Sequence, residues 1–194
     1  MQNNQAEKYK ELGNKEFKNR NYSKAIEYYT KAIENGSPRA YLKLGECYYN
    51  GIGVELNMNK AFELYKISAD KNYKIGQYNL ALCYNLGEGT EINLEKAFEL
   101  FKKSAENNYA FAQYNLGNLY KCGNLTKQNF EKALKLYIKG FHLRNSYCCY
   151  RLYFIYRKDD IKFKTRKNRD LAIMYLLISA AYFEFMPANH KIDP

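Results

Sequence analysis

Cysteine, the residue with the broadest reactive repertoire, occurs five times in the 194 residues, and Cys148 and Cys149 are adjacent. An adjacent pair could exchange disulfides or help to hold a soft metal, but no Cys-x-x-Cys and no Cys/His cluster at zinc spacing accompanies it. The odd count, the scatter of the others and the absence of an apolar leader in MQNNQAEKYK argue against a secreted disulfide framework, so reduced thiols are expected. The two histidines, His142 and His190, lie far apart, and no Ser/His/Asp, Cys/His or paired-carboxylate constellation forms around them. The glycines of GIGV (from Gly51) and GEGT (from Gly87) suit a phosphate cradle. No Gly-Lys-Ser/Thr follows and no strand precedes, which makes them loop glycines. The expectation is no catalysis, no cofactor and no metal; the remaining chemistry is that of binding.

Charge gives a first binding candidate. The net charge is +11, and residues 121–194 hold 15 basic side chains against 6 acidic, whereas residues 1–120 are nearly balanced at 16 against 14. Within RKDDIKFKTRKNR, residues 157–169, Arg157, Lys158, Lys162, Lys164, Arg166, Lys167 and Arg169 form a basic loop that would attract phosphates or acidic peptide. Two aspartates lie within it and Phe163 is its only aromatic residue, leaving bases little to stack on, and a solvated surface is the plainer reading.

The elements that must position these residues come from a repeat. LGECYYNGIG from Leu44 recurs as LALCYNLGEG from Leu80 and LGNLYKCGNL from Leu116, 36 residues apart each time. NKAFELYKISA (from Asn59), EKAFELFKKSA (from Glu95) and EKALKLYIKGF (from Glu131) keep the register, and a degraded copy starts at Leu152 and resumes at Arg169. Apolar positions at three- and four-residue steps predict two helices per unit, joined by a glycine loop. Cys148 takes the small position of Ala40, Gly76 and Ala112, while Cys47 and Cys83 align with Leu119 and Ile155, so these cysteines read as core. His142 falls at the end of a predicted second helix, where a capping role is expected.

These motifs resemble the Sel1-like repeat, a relative of the tetratricopeptide repeat with a longer loop. RAYLKLGECYYNGIGV (from Arg39) and AFAQYNLGNLY (from Ala110) match closely, whereas the last copy has Tyr153 in place of glycine. YKELGNKEFKNRNYSKAIEYYTKAI (from Tyr9) resembles an ordinary tetratricopeptide repeat through Leu12, Gly13, Ala25, Tyr29, Ala32 and Pro38. The organisation expected is one domain over 1–194: a tetratricopeptide-like unit at 6–37, Sel1-like units at 38–73, 74–109 and 110–145, a degenerate one at 146–183 and a tail at 184–194. Tetratricopeptide domains that grip chaperone carboxylate ends begin their clamp with residues placed like Lys10 and Asn14. Here Lys43, Ile75 and Asn79 depart from the rest of that clamp. Some Sel1-like proteins with regular cysteine pairs have been assigned a hydrolase activity; this sequence lacks those pairs.

The resemblance implies an all-α, right-handed α-solenoid of stacked helix pairs serving as a non-catalytic adaptor or scaffold for protein–protein interaction. Its first helices would line a concave groove for a peptide or partner protein through Lys10, Asn14, Phe17, Glu46, Tyr49, Tyr78, Asn85, Tyr114, Asn118, Lys121, Phe154 and Arg157. LAIMYLLISAAYF, residues 171–183, is apolar almost throughout yet too short to span a bilayer. Either the tail from Glu184 to Pro194 folds across this stretch or, the favoured expectation, Leu171, Met174, Tyr175, Leu176, Ile178 and Phe183 dock a partner or a second copy. The alternative function is a basic nucleic-acid-associated or ribonucleoprotein subunit acting through the C-terminal third. With no signal peptide and no membrane span, the cytoplasm is the default compartment expected.

Overall fold

The structure, a computed structural model, describes residues 2–123, 125–157, 173–175 and 177–178. Among them all regular structure is helical: α1 (Gln2–Lys18), α2 (Tyr22–Glu34), α3 (Pro38–Asn50), α4 (Met58–Asp70), α5 (Lys74–Leu86), α6 (Leu94–Glu106), α7 (Ala110–Cys122), α8 (Phe130–His142) and α9 (Ser146–Arg157). They fall into two compact units, residues 1–107 and residues 108–194.

In the first unit each helix packs on the next, α1 on α2 through to α5 on α6. The first two pairs close because a glycine on one helix receives a tyrosine ring from the other: a Cβ on Gly13 would lie 2.5 Å from Tyr29, and one on Gly45 2.7 Å from Tyr65. Successive pairs are tied by small side chains. The Ser68 hydroxyl donates to the Pro38 carbonyl at 2.8 Å, and Gly76 lets α5 approach Ser68 closely. Leu42, Ala61, Phe62, Tyr65, Ala69, Leu80 and Cys83 make one continuous core across α3 to α5.

The connections follow from their residues. Residues 19–21 turn α1 into α2, whereas 51–57 and 87–93 form longer loops that begin with Gly51 and Gly87 in left-handed caps. Each longer loop ends on an asparagine: Asn57 and Asn93 accept from the backbone N–H of Lys60 and Lys96 at 2.9 Å and so start α4 and α6.

The second unit repeats the scheme. Tyr137 fills the space left by Gly117, Gly123 caps α7, and Asn129 caps α8 through Lys132 at 2.8 Å. The size relation seen at Ser68 and Gly76 is inverted here: Gly140 is the small residue and Cys148 the larger one that enters its space. Cys148 is thus fully buried, as its register predicts.

Candidate functional site

Three residues expected in the groove meet in the first unit. Asn14 and Phe17 of α1 and Glu46 of α3, with Glu11, Lys18, Tyr29 and Lys43, line an open cavity of about 290 Å³. Its polar walls are already ordered. Tyr29 donates its hydroxyl to Asn14 Oδ1 at 3.1 Å, Asn14 donates to Glu11 at 3.4 Å, and Lys43 pairs with Glu46 at 2.8 Å. Phe17 lies edge-on to Tyr22, with ring centroids 5.3 Å apart. A surface of two aromatic residues, Phe17 and Tyr29, with both charge signs and an amide suits a polar peptide better than an apolar ligand.

Lys10, expected to line the groove, is not among the residues lining that cavity. It is buried, bonded to Glu7 and paired with Glu11 at 2.6 Å, while Glu7 also receives Arg39 at 3.1 Å. Desolvation pulls its pKa down, but the hydrogen bonds to Glu11 and Glu7 outweigh this and leave it raised. A lysine neutralised by two carboxylates of its own helix is poorly placed to anchor a ligand carboxylate.

Further along the unit, Tyr49 donates to both carboxylate oxygens of Glu88, at 2.9 and 3.0 Å, joining α3 to the loop after α5. Burial and this bond push its phenol up to about 12. Tyr78 packs against Phe101 at 5.8 Å, and Asn85 is half-buried. In the second unit Tyr114 packs against Tyr137 and Tyr147, Asn118 accepts from Tyr137 at 2.8 Å, Lys121 is half-buried, and Phe154 meets Tyr150 and Tyr153 edge-on. Arg157 ends α9.

The expected C-terminal docking set divides. Met174 is exposed and Ile178 half-buried, but Tyr175 is buried among Phe141 and Tyr156, with centroids 5.0 and 5.6 Å away. Tyr175 is therefore core, a correction whose cause is aromatic packing on α8 and α9. Leu171, Leu176 and Phe183, and the basic residues Lys158, Lys162, Lys164, Arg166, Lys167 and Arg169, lie outside the described residues.

The thiols sit where the repeat register puts them. Cys47, Cys83, Cys148 and Cys149 are buried and Cys122 is exposed. Burial pushes Cys47 and Cys149 up to about 11 and Cys83 up to about 12, and raises Cys148 too, the reverse of an activated nucleophile. Among the described residues no group of three His, Cys, Asp or Glu could hold a metal ion, and no helix is long and apolar enough to cross a membrane.

The pattern described as Sel1 repeat matches five consecutive segments, 11–37, 38–73, 74–109, 110–143 and 146–181. The chain belongs to the Sel1 repeat family. Sel1 repeat proteins are generally non-catalytic scaffolds for protein–protein interaction. The first matched segment begins at Glu11, so the Sel1 pattern also covers most of the unit that resembles a tetratricopeptide repeat. Solved Sel1 structures share the α-solenoid of stacked helix pairs. Protein c5321, a protective antigen of uropathogenic Escherichia coli, is 32% identical over 89% of this chain and 38% of its own, with a TM-score of 0.76. A Sel1 repeat protein from Oxalobacter formigenes is 26% identical over 89% of this chain and 69% of its own, with a TM-score of 0.80. One from Klebsiella pneumoniae, 20% identical at a TM-score of 0.59, shares the fold. The chain thus spans about two fifths of the antigen's length. Among functionally curated proteins none matches the chain significantly.

Sequence reasoning missed several members of these sites. Glu11, Lys18 and Tyr29 join the cavity because α1 and α2 converge on Gly13, and Glu88 reaches Tyr49 across a repeat boundary. Lys43 and Arg151 share one repeat register with Asn79 and Asn115, a signal that would have marked both as facing the same way.

Proposed function

We propose that this Sel1 repeat chain is a non-catalytic adaptor that holds a peptide or partner protein in a groove lined by its first helices, with the α1/α3 cavity as its best-formed subsite. The observation that carries this reading is the convergence of Asn14, Phe17 and Glu46, chosen from repeat register alone, on one open cavity with Lys43. Ile173, Met174 and Leu177 of the second unit are exposed and would offer a partner a separate apolar contact. The organisation proposed remains one tetratricopeptide-like pair followed by four Sel1-like units. The short 19–21 turn, set against the loops 51–57 and 87–93, supports it.

Selection of displayed random peptides on the immobilised full chain, followed by calorimetric titration, tests the reading. Phe17→Ala and Lys43→Ala are each expected to weaken the selected peptides by about tenfold or more, a loss typical of a central contact, while Lys135→Ala leaves them unchanged. Failure to select any peptide, or peptides indifferent to both cavity substitutions, would overturn it.

A further inference from the structure

The described helices of the second unit carry a charge imbalance. Between residues 108 and 157 the sequence holds eight Lys and Arg against one carboxylate, Glu131, and that carboxylate is exposed on α8 in a 2.6 Å pair with Lys135. Neither α7 (AFAQYNLGNLYKC) nor α9 (SYCCYRLYFIYR) contains an acidic residue. The two helices face each other through Tyr114: its ring lies 5.5 Å from that of Tyr147, and the Arg151 guanidinium lies over it at 5.8 Å.

Arg151 is poorly satisfied for a half-buried cation. Among the described residues it donates one long bond, from Nη2 to the Tyr114 hydroxyl at 3.4 Å, and its Nε, shielded from solvent, has no acceptor. An arginine held by a ring rather than by a carboxylate keeps its fork for an incoming acceptor. Asn118 and Lys121 follow Tyr114 at four and seven residues, on the same face of α7.

We propose that the α7/α9 face binds an acidic segment of a partner protein, with Arg151 and Lys121 as its cationic anchors and Tyr114 as the platform that orients Arg151. This rests on the adaptor reading and gives the chemistry of one partner. Protein is favoured over single-stranded nucleic acid by the rings. Tyr114 and Tyr147 are inclined by 42°, and Tyr150 and Phe154 meet at 77° with centroids 4.6 Å apart, so they pack into one another's edges instead of offering parallel platforms to bases. Carboxylates need only the guanidinium fork, the ammonium and the hydroxyl.

The test titrates the full chain with a fluorescein-labelled peptide of alternating Glu and Ser, a uridine oligonucleotide of equal charge, and a peptide selected in the adaptor experiment. The acidic peptide is expected to bind in a salt-sensitive manner and to weaken by about tenfold or more in both Arg151→Gln and Lys121→Gln, each with native circular dichroism. Lys121→Gln guards against a folding effect at Arg151, since among the described residues the Lys121 side chain makes no ion pair and the contact Lys121 brings is through its backbone carbonyl, which accepts from Gln128 at 2.9 Å. Retention in either variant, loss only when Lys158 to Arg169 are neutralised, or displacement by a tighter-binding oligonucleotide would overturn the proposal. If the selected peptide binds and the acidic one does not, this inference alone fails; if neither binds, the adaptor reading fails with it.

Discussion

Tyr137 closes its helix pair by two contacts at once. Its ring occupies the space beside Gly117, where a Cβ would lie 2.6 Å from Cε1, and its hydroxyl donates to Asn118. The ring is fully buried and cannot retreat, so Gly117→Ala is expected to cost about 2 kcal/mol by overpacking, seen as a lower urea midpoint at unchanged slope. Tyr137→Phe should cost about 1 kcal/mol by taking the donor from Asn118. The α5/α6 pair carries the compensated alternative, Phe101 with Leu82 at the equivalent positions. Tyr137→Phe with Asn118→Leu is therefore expected to lose less than the two single losses combined. A double-mutant cycle with no coupling would show that hydroxyl and amide act independently.

At the scale of elements, the connections make their own separable contributions to stability. Gly36 and Gly89 both have positive φ, +84° and +69°, yet their surroundings differ. A Cβ on Gly36 meets nothing within 4 Å, whereas one on Gly89 would collide with the Met58 carbonyl and approach Phe62 to 3.0 Å. Gly36→Ala should cost about 1 kcal/mol of left-handed backbone strain, and Gly89→Ala clearly more, because it also forces the 87–93 loop off α4. Equal midpoints for the two variants in thermal or urea unfolding would refute that difference. The asparagine caps are the second determinant: Asn93→Ala removes the acceptor for the Lys96 N–H and is expected to cost about 1 kcal/mol.

For the whole molecule, the thiols and tyrosines set the response to reagents and to pH. With a disulfide-exchange chromophore, Cys122 is expected to react at once and the four buried thiols only on unfolding. A second fast thiol would show that one of those cores opens readily. Cys47, Cys83 and Cys149 have folded pKa values raised from 9.0 to about 11, 12 and 11, and Tyr49 from 10.0 to about 12. Groups raised in this way hold their stability below the unfolded value and lose it as pH climbs toward the folded one. Unfolding midpoints should therefore stay level below about pH 9 with respect to these groups and fall steadily between 9 and 12. A level midpoint across that interval would mean that these groups are not shielded when folded.

The sequence by itself determined the helix pairs, their register and the burial of four cysteines, because a 36-residue repeat places small and large residues at fixed positions and packing follows from size. It also placed Asn14, Phe17 and Glu46 on one side, since helical period decides which way a side chain points. Only the tertiary structure decided which of those side chains remained available. Lys10 carries the right charge but lies between Glu7 and Glu11, and Tyr175 belongs to an apolar run but is taken up by Phe141 and Tyr156. Arg151, unremarkable in sequence, lies against Tyr114 with no carboxylate of the described residues beside it. Periodicity fixes direction, whereas availability depends on the distance and charge of neighbours that meet only after the pairs have closed.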